Sequence, residues 1–175
     1  MRTSLLFLLA LVVAACSMVG PDPSAWRDRA SGDGWHLVAK ETVRGPDRAY
    51  VVHAATDVAS YRELWRDIGL AGVRPDVDMD RNVVVSFAHG IGSSCPELRL
   101  DGVVVDGADV YSLASDPILD VHGSPRACTA DLVGAVIFVA AIDREALPED
   151  GFTLWLTDSA RRGQLNSEPL EVQLP

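Results

Sequence analysis

The stretch that most limits what this chain can fold into is Asn82 to Cys95, Asn-Val-Val-Val-Ser-Phe-Ala-His-Gly-Ile-Gly-Ser-Ser-Cys. Val83, Val85 and Phe87 share one face of an extended segment. The run therefore predicts a buried strand that leaves the core at a glycine-rich bend and delivers a cysteine. A second run, Leu132 to Ile142, is almost wholly apolar. Its length allows a short buried helix, but Val133, Val136, Ile137 and Val139 favour a strand covered on both faces.

Other strands are expected around these two. Trp35 to Val43 and Ala49 to Ala55 are β-rich runs separated by Arg44-Gly-Pro-Asp-Arg48, a strong turn signal. Val103 to Val105 and Ala108 to Ala114 flank Asp106-Gly107, the residue pair most typical of a tight hairpin. Asp101-Gly102, a few residues earlier, is then best placed as a bulge, because a second hairpin there would leave a very short strand. Phe152 to Thr157 and Leu170 to Leu174 supply the last strands, after one helical turn over Asp143 to Leu147.

Only Asp57 to Leu70 changes period. Val58, Tyr61, Leu64, Trp65 and Ile68 recur at three- and four-residue spacing and so share a helical face. Asp57 is suited to N-cap the helix, Ser60 and Glu63 would form a capping box for a later start, and Gly69 fits just past the end. The Trp65 stripe is read as core packing. The expected class is mainly β (α+β), an antiparallel β-sandwich or partly open barrel with one packed amphipathic helix. No internal repeat is visible, and one domain over residues 35–175 is expected.

The N-terminus reads differently. Arg2 precedes an apolar run from Leu5 to Ala15 that is too short to span a bilayer, which takes about 20 residues. Residues 1–15 are therefore expected to be a signal peptide. The run ends at Val13-Ala14-Ala15-Cys16, which resembles the lipobox of bacterial lipoproteins. That resemblance implies cleavage before Cys16, a lipidated Cys16 thiol, and a mature chain anchored at a membrane surface in the cell envelope. Each buried acyl methylene would add about 0.8 kcal/mol of membrane affinity. Residues 16–34, with Gly20, Pro21, Pro23, Gly32 and Gly34, are expected to tether the lipid to the domain.

Two further cysteines remain, Cys95 and Cys128. In an exported chain they are most simply read as one disulfide, which would restrict the unfolded chain by roughly 4 kcal/mol on the entropy model. A metal pair and a reactive thiol are the alternatives, without support from any Cys-x-x-Cys spacing. The net charge is −10, and it becomes −11 on loss of Arg2. Nucleic acid and anionic lipid headgroups are therefore disfavoured as partners of the domain.

Candidate chemistry centres on the bend at His89, Gly90, Gly92, Ser93 and Ser94. Histidine, serine and glycine amides are ingredients of acyl transfer, and Ser93 or Ser94 with His89 or His122 would make a small lipid-anchored hydrolase. Gly-x-Ser-x-Gly is absent from the chain, so the favoured reading is a glycine-bearing turn with a binding role and no catalytic residue. His36, His53, His89 and His122 show no metal-ligand spacing. Asp76, Asp78 and Asp80 suggest a cation loop, but Arg81 and Phe87 stand where an EF-hand places glycine and glutamate. No phosphate loop or dinucleotide fingerprint is present, and no cofactor or resident metal is expected.

The order of these elements resembles a known family. Helix Asp57 to Leu70, a loop with Val77-Asp-Met-Asp80, strand Asn82 to Ala88, a glycine bend and a hairpin look like the lipoprotein subunit that stabilises a bacterial secreted protease complex, with its wider C-terminal-domain family. Thr-Gly-Gly-Tyr is usual there after the strand, whereas this chain has Gly92-Ser-Ser-Cys95. The resemblance covers about residues 35–157. It implies a small β-rich domain with one helix, an envelope protein as partner, and no catalysis.

Overall fold

The computed structural model describes residues 34–45, 48–70, 72–91, 98–115, 134–157 and 168–175. Cys16, Cys95, Cys128, Gly92, Ser93, Ser94 and His122 lie outside them, so the expected lipid attachment, the expected disulfide and the distal half of the expected bend do too. Nine elements follow in order: β1 (Trp35–Arg44), β2 (Val51–Ala55), α1 (Val58–Asp67), β3 (Asn82–Ile91), β4 (Arg99–Asp106), β5 (Asp109–Ser115), β6 (Gly134–Asp143), β7 (Phe152–Trp155) and β8 (Leu170–Val172), with a short 3-10 turn at Arg144–Ala146 between β6 and β7.

The strands form two four-stranded sheets, one ordered β1-β6-β3-β2 and the other β4-β5-β7-β8. The first is antiparallel throughout, with β6 and β3 inside it. The near-continuous apolar sequence of both strands follows from that central place, because each buries both of its faces. Side-chain alternation sorts them. Val83, Val85 and Phe87 of β3, with Ala140 and Ile142 of β6, meet Val103, Val110, Phe152, Leu154 and Val172 of the second sheet. Val84 and Ala88, with Ala135, Ile137, Val139 and Ala141, turn the other way and meet Tyr61 and Leu64 of α1 and its C-cap residue Ile68. The architecture is thus helix on sheet on sheet, an α+β sandwich.

The hairpin and the bulge fall where the Asp-Gly pairs place them. Asp106 pairs with Asp109 across a turn containing Gly107 at φ 60°, and the β4–β5 register shifts between Leu100 and Gly102. The two sheets form the sandwich expected from the sequence and do not close into a barrel. Three details differ from expectation. Within the second sheet, β5 pairs with β7 in parallel rather than antiparallel. The capping box joins Asp57 to Ser60, whose backbone N–H donates to the Asp57 carboxylate at 2.7 Å, so Ser60 is the box's second member and not its first. Finally, β3 does not end at Ala88: His89, Gly90 and Ile91 continue the ladder against Val136, Ala135 and Gly134. The long β6 supplies partners past the point where the glycines suggest a bend.

Helix α1 ends as its sequence suggests. Gly69, at φ +68°, takes the left-handed conformation just past the cap and donates its N–H to the Arg66 carbonyl at 3.1 Å. Trp65 packs on the helix-side core and meets the Tyr61 ring edge-on, with centroids 6.2 Å apart. Val58, expected on the buried stripe, is 53% exposed and is the first residue of the helix.

Candidate functional site: a mixed-charge cleft at the end of the helix

The continuation of β3 turns His89 into the space between the two sheets. It is 5% exposed, its Nε2 lies 3.3 Å from Ser112 Oγ on β5, and its ring meets Phe138 edge-on at 5.7 Å. Thr157 Oγ1 donates to the Ser112 carbonyl beside it. A buried polar group needs such partners, and this cluster bridges the two sheets across their shared core. His89 is therefore a fixture of the interior, with its Nε2 directed at Ser112.

The acidic loop is likewise structural. Asp78 Oδ1 accepts from the Asp80 N–H at 3.1 Å, and its carbonyl accepts from Asn82 N at 3.0 Å and Asn82 Nδ2 at 2.9 Å. Asp78 thus builds the turn that starts β3. Among the described residues no group of three or more His, Cys, Asp or Glu side chains is placed to hold a metal ion.

A different set of residues makes a cleft. On the helix side of the first sheet, Val51 and His53 of β2, Ala88 of β3 and Ile137 of β6 form its floor, and Arg48 with Asp67 and Ile68 at the end of α1 form its sides. The volume is about 330 Å³. The floor is a consequence of register: Val51 pairs with Ala88 and His53 with Ser86, which sets Val51, His53 and Ala88 on one face of the sheet. Arg48 is held across that turn, because its Nη1 donates to the Asp67 carbonyl at 2.8 Å and its guanidinium lies against Gly69. A cation on the last carbonyls of a helix is favourable, and it fixes the side chain over the cleft.

The electrostatics are balanced. Arg48 brings a positive charge, while the carbonyl end of α1 and Asp67, whose Oδ1 also accepts from Arg66 Nε at 3.3 Å, bring negative ones. Burial holds the His53 imidazole below its ordinary pKa, against the opposing pull of Asp67, so the ring is mainly neutral at pH 7. The unfolded chain therefore takes up a proton at His53 more readily than the folded one. Stability contributed by the neutral ring is complete above the unfolded pKa near 6.5 and is lost as pH falls from there through the lower folded value. Melting temperature measured against pH should show this decline in the wild type, and His53→Gln should flatten that segment of the curve.

Ser86, His53 and Asp67 together have the composition of a hydrolytic triad, but their arrangement differs from one. Ser86 is fully buried, and its Oγ has no hydrogen-bond partner among the described residues. A nucleophile must reach both substrate and base, and this hydroxyl reaches neither.

Of the candidates drawn from sequence, His89 and Gly90 are placed in β3, pointing to opposite faces. No local pattern marks the cleft, because Arg48, His53 and Asp67 come from a turn, an edge strand and a helix end. The one sequence signal was Gly69 after the helical stripe, which fixes where α1 stops. No family model matches the chain, and no curated protein and no solved structure is significantly similar to it.

Proposed function

We propose that this chain is a lipid-anchored, non-catalytic binding module of the cell envelope, with the Arg48–His53–Asp67 cleft as its binding site. The observation that carries the reading is the cleft itself: an apolar floor with a few convergent polar groups of both signs is the ordinary form of a ligand site. Ser86, opposite His53 in the ladder, is fully buried, and the His89–Ser112 pair is committed to the core. The anchor follows from Val13-Ala-Ala-Cys16. Among the described residues no helix is long and apolar enough to cross a membrane. A Cys95–Cys128 disulfide in the exported domain, and an envelope protein as partner, belong to the same proposal.

The experiment is affinity capture of the tagged, lipid-bearing protein from membranes, with Cys16→Ser as the unanchored control. Ser93→Ala with Ser94→Ala should leave the captured set intact, and Arg48→Ala with Asp67→Ala should deplete it. The reverse pattern would move the site to the bend.

A further inference from the structure

Tyr50, one residue before the cleft residue Val51, has an unusual conformation. Its φ is 63°, the only positive value at a non-glycine residue among those described, and the residue is 45% exposed. The left-handed region disfavours a side chain with a Cβ, and exposing an aromatic ring is unfavourable as well. The surrounding ladder holds both in place: Tyr50 N–H donates to the Ala88 carbonyl at 2.7 Å. The positive φ breaks the strand alternation and lays the ring over Gly90, where a Cβ would come within 2.4 Å of Tyr50 Cζ. Gly90 and the cleft residue Ala88 are two apart on one face of β3, so the ring sits one step along from the Val51–Ala88 floor. The phenol end of the ring lies against Gly90 while much of the residue stays open to solvent. An observed backbone outlier beside a cleft is a pointer to function.

Charge then selects the ligand. An anion entering the cleft meets Asp67 and the carbonyl end of α1, and a cation meets Arg48. A neutral ring rich in hydroxyls uses both signs, donating to Asp67 and accepting from Arg48, while its apolar face lies on an aromatic surface. A volume of about 330 Å³ is at the small end for ligand sites and suits one or two such rings.

We propose that the cleft binds a neutral pyranose ring, stacked on Tyr50 and hydrogen-bonded to Arg48 and Asp67. The proposal rests on the cleft being the binding site, but not on the partner being a protein.

The test is titration of the isotope-labelled chain, residues 16–175, with cellobiose, with N,N′-diacetylchitobiose and with the zwitterion alanyl-alanine, followed by amide chemical shifts. Saturable shifts with at least one disaccharide, at Tyr50–His53 and Asp67–Gly69, are expected. Tyr50→Gly removes the ring and relieves the backbone strain, so it should keep or raise the melting temperature while weakening sugar binding by about tenfold. Gly90→Ala should weaken it similarly by unseating the ring, and Tyr50→Phe should retain it. No saturable shift with either sugar, shifts confined to other surfaces, unchanged affinity in Tyr50→Gly, or binding of alanyl-alanine alone would each overturn the proposal. If the sugars fail while Arg48→Ala with Asp67→Ala still depletes membrane capture, the saccharide class falls and the cleft stands; if both fail, the cleft falls too. Sugar analysis of the protein-bound and protein-free captured fractions separates a glycosylated partner from free glycan.

Discussion

Phe138→Ala should lower the unfolding free energy by about 3–5 kcal/mol, a large share of the roughly 5–15 kcal/mol available to a domain of this kind. Phe138 is fully buried at the middle of β6, directly paired with Phe87 of β3, and it faces the second sheet through Ala114 and Leu100. The space left by its ring cannot be filled by sliding a strand, because β6 is hydrogen-bonded on both sides. Chemical denaturation should show a lower midpoint with an unchanged slope. Phe87→Ala should cost a similar amount, and the double variant less than the sum, because paired neighbours share one cavity. Ile137→Val on the opposite face of β6 should cost only about 0.5–1.5 kcal/mol.

Gly134→Ala is the second large effect, and it acts by a different route. A Cβ at Gly134 would stand 2.1 Å from the Val43 carbonyl oxygen and 3.3 Å from the Arg44 Cα. Both are backbone atoms of β1, so no side chain can swing aside to relieve the contact. The end of β1 must lift from β6, at a cost on the order of 3 kcal/mol. Hydrogen exchange should locate the damage, with amides near the Arg44 end of β1 losing protection while β3 keeps its own. Gly72→Ala, where a Cβ meets nothing within 4 Å, is the control and should leave stability nearly unchanged.

Where the chain's local chemistry decides the structure, the sequence was a good guide. Asp106-Gly107 and Asp101-Gly102 differ in what flanks them, and that difference sufficed to separate a hairpin from a bulge. The two-faced burial of β6 was legible because an unbroken apolar strand can be satisfied in few other ways. The parallel β5–β7 pair was not legible, because it is set by where the chain returns after β6. His89 misled for a related reason: a histidine just ahead of Gly90 and Gly92 looks like a loop residue until Val136 is known to lie opposite it.

The cleft was the least legible part. Its polar groups lie at residues 48, 53 and 67, and only the pairing of β2 with β3, plus the stop of α1 at Gly69, assembles them. Tyr50 carries no sequence mark of a left-handed residue, since glycine or asparagine would normally be expected there. Gly90 was singled out as part of a bend; its contribution is the flat backbone under the Tyr50 ring. Local rules agreed with the global fold almost everywhere, and the departure at Tyr50 is the kind that functional positions show.

The most direct measurement compares amide hydrogen exchange in the chain captured from membranes together with whatever it binds against the same chain stripped of it. Binding at the cleft predicts added protection at Tyr50 to His53 and at Asp67 to Gly69, with residues 92–95 unchanged. Protection gained at residues 92–95 and absent from the β2–α1 cleft would contradict it.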